Sequence, residues 1–211
     1  MALSREALRR ARVERQGEAV VRRLENAVVG IAGLGGLGSH IAVSLARLGV
    51  GKLVLADFDR VDVTNLHRQQ YFVEQLGRYK TDALAETLRR VDPWLFCELH
   101  PVRLTPENLP GIFAGCSVLC EAFDRPEEKA MLIETALTEL PHTVVVSGSG
   151  MAGTGSANTI QTVRAMNRLY LCGDGETDVA TSGSLTASRV SVCAGHQAHM
   201  VLRLLLGDET P

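Results

Sequence analysis

The sequence predicts an α/β protein with a Rossmann-like, doubly wound sheet that is mixed with antiparallel strands in its C-terminal half. From Ala27 onward, short apolar runs alternate with segments of helical period, which is typical of a parallel sheet covered by helices on both faces. After Gly148 the chain is rich in Gly, Ser and Thr and alternates apolar with polar residues, as antiparallel strands and turns do. We therefore expect a single α/β domain over residues 27–211.

Residues 1–26 are expected to form a helical arm in front of this domain. Between residues 4 and 26, seven arginines and four glutamates surround a thin apolar stripe. A stripe of this width is typical of a surface helix and is too narrow to fold alone.

The segments that follow the arm predict the order of the elements. The expected strands are AVVGIAG, KLVLAD, SVLCEAF and TVVVSG, and the expected helices are SHIAVSLARLG, KTDALAETLRRVD and PEEKAMLIETALTEL. Thr105 before Pro106, and Pro126 before two glutamates, are typical helix starts. Residues 173–188 have no apolar period and predict a loop, and a last helix is expected from about Arg189 to Leu206, ending at Gly207.

Composition disfavours several classes of protein. A net charge of −2 and 4% aromatic residues provide neither a strong field for nucleic-acid phosphates nor many stacking surfaces. No apolar run approaches the roughly 20 residues of a membrane helix, and the N-terminus lacks the apolar core of a secretory signal. The five cysteines form no CxxC pair, which argues against zinc and disulfides. We expect a cytoplasmic protein with reduced thiols, bound to neither nucleic acid nor membrane.

The segment GLGGLG, with Gly33, Gly35, Gly36 and Gly38, lies between the first predicted strand and the first helix of the domain. Glycines at such a turn let the backbone approach a ligand closely, and the amides at the helix N-terminus can bind phosphate. The motif alone also fits a tight turn without a ligand. It predicts a nucleotide site.

Charged residues follow the later strands. Asp57 ends the second strand, where a dinucleotide fold places the carboxylate that binds ribose, and Asp59 follows it; the two also fit a merely acidic strand end. Arg68, Lys80 and Asp124 follow. Arg and Lys can neutralise a triphosphate, and a carboxylate opposite them can hold Mg²⁺ between phosphate oxygens. Hydride transfer does not need this combination, so it favours phosphate chemistry.

Together, GLGGLG, DFD, NLHRQ, the lysine of GRYKTDAL and EAFD closely resemble the E1-like adenylating enzymes, which include bacterial ThiF and MoeB proteins. The resemblance spans about residues 27–207. The short chain, with YLCGDGE and RVSVCAGHQA, is most similar to the small second subfamily of thiamine-biosynthesis ThiF proteins, which adenylate the sulfur carrier protein ThiS.

This resemblance assigns roles to individual residues. It implies that ATP and Mg²⁺ bind at this site. Gly36 and Lys80 would contact phosphate, and Asn65 and Arg68 would contact the triphosphate. Asp57 would bind the ribose, and Asp124 would coordinate Mg²⁺. The reaction it implies is attack of a carrier's C-terminal glycine carboxylate on the α-phosphorus, with pyrophosphate leaving. Positioning and charge neutralisation carry such a reaction.

The resemblance also implies a partner and an assembly. The partner is a small β-grasp sulfur carrier with a Gly-Gly tail, and loop 173–188 would guide that tail. The assembly is a homodimer in which an N-terminal arginine reaches the other protomer's nucleotide; Arg15 in RVERQ is the first candidate and Arg12 the second. The alternative for this arm is a solvated basic helix face.

Other readings remain open on the sequence alone. Longer relatives hold zinc with two CxxC pairs, which this chain lacks, so no zinc is expected. Cys172 is either a covalent sulfur-transfer residue or a small buried side chain. The alternatives for the whole chain are an NAD(P)-dependent oxidoreductase and a non-catalytic nucleotide-binding scaffold.

Overall fold

The structure is a computed structural model that describes residues 3–211, in which the strands form a seven-stranded sheet. The strands are β1 Val28–Ala32, β2 Lys52–Ala56, β3 Phe96–His100, β4 Val118–Glu121, β5 Val144–Gly148, β6 Gln161–Met166 and β7 Leu169–Gly173. The helices are α1 Arg5–Gln16, α2 Glu18–Glu25, α3 Gly36–Leu48, α4 Lys80–Val91, α5 Leu109–Phe113, α6 Pro126–Glu139, α7 Val179–Ser182 and α8 Ala187–Leu206.

The strand order is β3-β2-β1-β4-β5-β7-β6. Neighbouring strands are parallel except β6 and β7, which pair antiparallel. The predicted Rossmann-like fold with a mixed C-terminal half is therefore confirmed. Since β2 lies on one side of β1 and β4 on the other, the order changes direction at β1, and a crevice opens at the carboxyl ends of β1 and β4.

Two apolar cores cover the faces of the sheet. Alternate strand residues point to opposite faces: Ile31 belongs to the core beneath α3, α4 and α8, whereas its neighbour Ala32 belongs to the core beneath α5 and α6. Both faces are thus buried, which explains why most strands are continuous apolar runs.

The N-terminal helices are attached to the domain more firmly than the sequence indicates. Val21 and Leu24 of α2 are buried, and Leu24 packs in the core that covers the sheet. On α1, Arg12 pairs with Asp92 at 2.8 Å and donates to the carbonyl oxygen of Ala46. Residues 18–25 therefore belong to the body of the domain rather than to a separate arm.

Strand β3 and helix α5 differ from expectation. Every side chain of Phe96–His100 is exposed or half-buried at the sheet edge, so no apolar run marks this strand. Thr105 does not cap a helix, because Asn108 Oδ1 accepts its N–H at 2.9 Å and forms a turn; α5 begins only at Leu109.

The C-terminal helix agrees with the sequence analysis. Helix α8 begins at Ala187, slightly earlier than expected, and ends at Gly207, whose φ of 85° is left-handed. The preceding segment contains the one-turn helix α7. Within residues 3–211, no helix has the length and apolar character needed to cross a membrane.

Candidate active site

A cavity of about 550 Å³ lies at the carboxyl ends of the strands. It contains most of the residues that the sequence singles out: Gly33, Gly35, Gly36, Asp57, Asp59, Asn65, Arg68, Lys80 and Asp124 line it. The topological switch between β1 and β4 thus brings together side chains that are far apart in the chain.

The glycine turn joins β1 to α3. Gly33 adopts a left-handed φ of 86°, and its N–H donates to the carbonyl oxygen of Ala56 at 2.9 Å. Helix α3 begins at Gly36, and no side chain of residues 3–211 caps this end. Uncapped amides at the N-terminus of a helix of this length can bind a phosphate group.

Gly38 does not line the cavity, although its motif predicts a ligand contact. A Cβ at Gly38 would lie 1.9 Å from the carbonyl oxygen of Gly33. Glycine is therefore required here for close packing of the helix against the turn, and not because this residue faces a ligand.

Asp57 holds the turn through both carboxylate oxygens. Oδ2 accepts the N–H of Leu34 and Oδ1 accepts the N–H of Asp59, each at 2.7 Å. Burial raises the pKa of Asp57, and nearby Lys80 opposes that shift. The carboxylate that the sequence assigns to ribose therefore also holds the backbone of the turn.

Asp59 presents its carboxylate more openly, since 49% of its side chain is exposed. Lys80, at the start of α4, is buried and donates from Nζ to Asp59 Oδ2 at 2.8 Å, with Asp57 Oδ2 at 3.9 Å. The two acids therefore hold the ammonium group at the cavity wall.

Arg68 and Gln69 bring unpaired polar atoms to the cavity. Arg68 Nη1 donates to the carbonyl oxygen of Thr64 at 3.2 Å. Arg68 Nε and Gln69 Oε1 are buried without a partner among the residues described, and both side chains line the cavity. Buried polar atoms usually have a partner, so these two atoms are available to hydrogen-bond a bound ligand or ordered water.

Asp124 is an exposed residue that lies between β4 and α6 at the cavity. In the described part of the chain, no three His, Cys, Asp or Glu side chains are grouped to hold a metal. A single carboxylate is nevertheless sufficient for Mg²⁺ when phosphates and water supply the other ligands, so Asp124 fits that group.

Apolar side chains line the cavity at two places. One group follows β2, β3 and β4, and the other follows β5 and β7 and extends to α8. The first contains Ala56, Phe58, Val102, Leu104, Phe123 and Met131, and the second contains Met151, Ala152, Val179, Leu185 and Val190. We call the first set of lining residues the first apolar compartment and the second set the second apolar compartment.

Six charged residues that the sequence did not single out as site residues also line this cavity: Arg103, Arg125, Glu128, Lys129, Glu176 and Asp178. Arg103 lies over the Phe58 ring at 4.1 Å and pairs with Glu128 at 2.6 Å. Lys129 pairs with the buried Glu121. A glutamate inside the apolar run SVLCEAF was the available signal, because a buried strand carries a charge only when the charge is paired.

The N-terminal arginines do not line this cavity. Arg15 is exposed on α1, so a contact with nucleotide would have to be made across a dimer. Arg12, the second candidate, is committed to Asp92 of its own chain.

Cys172 and Cys193 are buried side by side. Burial raises the pKa of Cys172 to about 11 and that of Cys193 to about 12. A thiolate is the nucleophilic form of cysteine. In this conformation, therefore, the structure favours the packing interpretation of Cys172 over the covalent one.

The fold and the cavity define a class: α/β proteins with a Rossmann-like sheet and a glycine-rich turn at its switch point, surrounded by cations and carboxylates. The chain belongs to the ThiF family, which residues 8–211 match. The resemblance inferred from the sequence motifs is thereby confirmed.

Curated relatives include proteins named adenylyltransferase and sulfurtransferase. The chain is 40% identical over 116 residues to uba4 of Aspergillus terreus, which covers 54% of this chain and 24% of that protein. It is 35% identical over 151 residues to UBA4 of Candida glabrata, covering 71% and 34%. The matches thus span between a quarter and about a third of these relatives.

Solved structures share the fold. The tRNA N6-threonylcarbamoyladenosine dehydratase TcdA of Escherichia coli, in complex with ATP, has a TM-score of 0.86 at 21% identity over 98% of both chains. MccB of Escherichia coli has a TM-score of 0.70 at 19% identity, covering 92% of this chain and 63% of that one. At these identities the likeness establishes the common fold.

Proposed function

We propose that this protein is an ATP-dependent adenylyltransferase that activates the C-terminal carboxylate of a small ubiquitin-like sulfur carrier. One observation carries the proposal: Arg68, Lys80 and Asp124 line a single cavity with the uncapped N-terminus of α3. Two cations, free amides and a carboxylate are the groups that a triphosphate with its metal requires.

The nucleotide is oriented by the order of groups along the cavity. The α3 amides and Arg68 take the phosphates, with Asn65 and Lys80 beside them. Asp59 is better placed than Asp57 to accept ribose hydroxyls, because 49% of its side chain is exposed, whereas Asp57 is buried and each of its oxygens already accepts a backbone N–H. The base occupies the first apolar compartment, beneath the stacked Phe58 and Arg103.

Asp124 would hold Mg²⁺ opposite these cations. When bound, the metal would neutralise charge that builds up on phosphate oxygens. The remaining work belongs to the protein's own groups. Arg68 and Lys80 neutralise the triphosphate, and the second apolar compartment keeps water from the reacting carboxylate.

The proposed reaction joins a carboxylate oxygen of the carrier to the α-phosphorus. The bond between the α-phosphorus and the bridging oxygen breaks, and pyrophosphate leaves with its electron pair. An acyl adenylate remains. Since phosphoryl-type transfers need mainly alignment and electrostatic stabilisation, no nucleophilic side chain is required, in agreement with the buried cysteines.

The second compartment would hold the carrier's tail. A Gly-Gly tail suits it, because glycine lets an extended backbone pass close to the nucleotide without a Cβ clash. The curated relatives are named adenylyltransferase and sulfurtransferase, which supports a sulfur carrier as substrate. The finer proposal is a ThiS-like carrier in thiamine thiazole synthesis, in the cytoplasm, where thiols stay reduced.

The proposal includes a homodimer. Twofold dimers are the commonest assembly, and Arg15 is exposed on α1 away from its own cavity. In the dimer, Arg15 of one protomer would reach the nucleotide of the other. Mixing an Arg15→Ala chain with an Asp124→Ala chain should restore activity in mixed dimers if the sites are shared in this way.

ATP–pyrophosphate exchange with purified carriers tests the function directly, because exchange requires adenylation and its reversal. We expect exchange with a carrier ending in Gly-Gly and none when its last glycine is removed. Asp124→Ala and Arg68→Ala should each lower exchange by roughly 10²- to 10³-fold, as loss of one transition-state contact does. Equal exchange with both carriers would contradict the proposed role of the tail.

A thermal-shift panel separates this function from the alternatives. ATP with Mg²⁺ at a hundredfold excess over Kd should stabilise the fold by about 2.7 kcal/mol. Stabilisation by NAD and not by ATP would favour an oxidoreductase. Stabilisation by ATP with no exchange on any carrier would favour a binding scaffold.

A further inference from the structure

Glu121, the last residue of β4, carries a completely buried carboxylate at the edge of the cavity. Its Oε2 accepts from Lys129 Nζ at 2.7 Å and from Ser147 Oγ at 2.5 Å. Its Oε1 accepts the N–H of Phe123 at 2.7 Å. Every contact that the structure gives this carboxylate comes from a donor next to the proposed reaction site.

Lys129 completes the arrangement from the first turns of α6. In addition to Glu121, its Nζ donates to the carbonyl oxygen of Phe123 at 3.2 Å. The Glu121–Lys129 pair therefore holds both the N–H and the C=O of Phe123. Phe123 is the residue immediately before Asp124.

Stability alone does not account for this pair. Removing two charges from water costs free energy, and apolar residues of similar volume usually serve stability as well as a buried ion pair or better. A buried pair is best explained by a geometry that apolar contacts do not supply. Here the geometry is that of the backbone of one residue, Phe123, through the two peptide groups that flank it, and the next side chain is the carboxylate proposed to hold the metal.

The glycine turn lies against the same peptide. A Cβ at Gly33 would come within 2.9 Å of the carbonyl oxygen of Ala122 and 3.0 Å of Phe123 Cδ1. The backbone before Asp124 is thus in contact with the proposed phosphate site on one side and with the Glu121–Lys129 pair on the other. A shift of this backbone would move Asp124 relative to the phosphates.

We propose that Glu121 and Lys129 are positioning residues that hold the Asp124 carboxylate in place for the metal carried by the nucleotide. This inference rests on the proposed function. Groups that orient a metal ligand typically change metal affinity by about 10- to 100-fold when they are removed. The pair should therefore matter for ATP binding with Mg²⁺ and not for ATP binding without it.

The test is calorimetric titration of ATP in Mg²⁺ and in EDTA. The variant is the double substitution Glu121→Gln with Lys129→Met, which removes both charges and leaves neither one buried alone. Wild type should bind ATP more tightly with Mg²⁺ than in EDTA. The double variant should lose about 10- to 100-fold of that gain, while its affinity in EDTA stays at the wild-type value.

Three further variants serve as controls. Asp124→Asn should lose the same Mg²⁺-dependent gain, because it removes the carboxylate itself. Glu86→Gln breaks the exposed pair with Arg78, neither residue of which lines the cavity, and should keep the gain in full. Lys129→Arg keeps a cation that can donate to both Glu121 and Phe123, and it should largely retain the Mg²⁺-dependent gain.

The outcomes separate this inference from the proposed function. A folded double variant that keeps the full gain would overturn the positioning role and leave adenylation standing. If wild type binds no ATP in either buffer, both ideas fail. Should the double variant not fold, Glu121→Asp replaces it: this change keeps the charge but withdraws it from Phe123. Loss of the gain then supports the inference, and retention overturns it.

Discussion

Asp174 and Arg189 form a buried ion pair that ties the loop after β7 to helix α8. Their side chains are only 6% and 4% exposed. Arg189 Nη1 also donates to the carbonyl oxygen of Ser156 at 2.6 Å, and Asp174 Oδ1 accepts the N–H of Thr177 at 2.9 Å. The pair therefore fixes three segments around the second apolar compartment.

Asp174→Asn should destabilise the protein strongly. The substitution leaves the Arg189 guanidinium buried without its counter-charge, and breaking a buried pair in this way costs about 3–5 kcal/mol. Urea unfolding measures the change. Asp208→Asn, which breaks an exposed pair with Arg203, is the matched control and should change stability little. Equal losses in the two variants would contradict the importance of burial.

The ionisation of Asp174 should also make the stability of the protein depend on pH. Burial opposes ionisation, but hydrogen bonds from Thr177, Glu176 and Arg189 lower the pKa of Asp174 to about 2, below the ordinary value of about 3.9. A carboxyl group with a lowered pKa contributes stability above its unfolded pKa and loses it as pH falls towards the folded value. Unfolding free energies measured from pH 6 to pH 2 should therefore converge between wild type and Asp174→Asn. A constant difference over that range would refute this assignment.

Substitutions of Asp57 and of Asp59 should have different effects on stability and ATP affinity, although the two residues lie only two positions apart. Asp57→Asn replaces an oxygen that accepts a backbone N–H with an amide nitrogen, which leaves a buried donor unpaired at a cost of about 1–3 kcal/mol. Asp59→Asn keeps an oxygen for Lys80 and should lower ATP affinity with a smaller loss of stability. Urea unfolding and ATP calorimetry on both variants make the comparison. If Asp57→Asn keeps wild-type stability, its bonds to the glycine turn are not structural.

Substitutions can also distinguish the roles of the individual glycines in the GLGGLG motif. Gly38→Ala places Cβ against the backbone of Gly33 and should cost about 1–3 kcal/mol or more, as overpacking does. Gly35→Ala meets only the flexible end of Gln69 at 3.6 Å, so the fold should be kept. Its methyl group would stand in the cavity and weaken ATP binding. Wild-type ATP affinity in Gly35→Ala would show that phosphate does not approach this residue.

Much of the fold was predictable because buried parallel strands are continuous apolar runs. Strands β1, β2, β4 and β5 follow from that pattern, and helices α3, α4 and α6 follow from the helical period of the segments between them. Strand β3 was missed because an edge strand such as Phe96–His100 buries too little to show an apolar run. Thr105 was misassigned because the side chain of Asn108 favours a turn over a helix start. The residue types alone do not show which of the two conformations is adopted.

Most residues of the site could be predicted from the sequence, but the contacts that they make could not. The motifs identify Asp57 and Gly38, but only the structure shows that each oxygen of Asp57 accepts a backbone N–H and that Gly38 lies against Gly33. The contact between Arg189 and Asp174 joins two segments of different local character. Such pairs depend on how the loops fold back on the sheet, which residue spacing does not determine.

The contact of Gly33 with Ala122 has an evolutionary consequence. Where these two main chains meet, the width of the cavity is set by backbone atoms, and no side-chain substitution can enlarge it. Descendants of this chain can therefore change what they accept only at the other walls, for example in the loops of residues 102–104 and 149–152, which line the same cavity. The wall formed by Gly33 and Ala122 is inherited unchanged, and changes in what the cavity accepts are confined to its other walls.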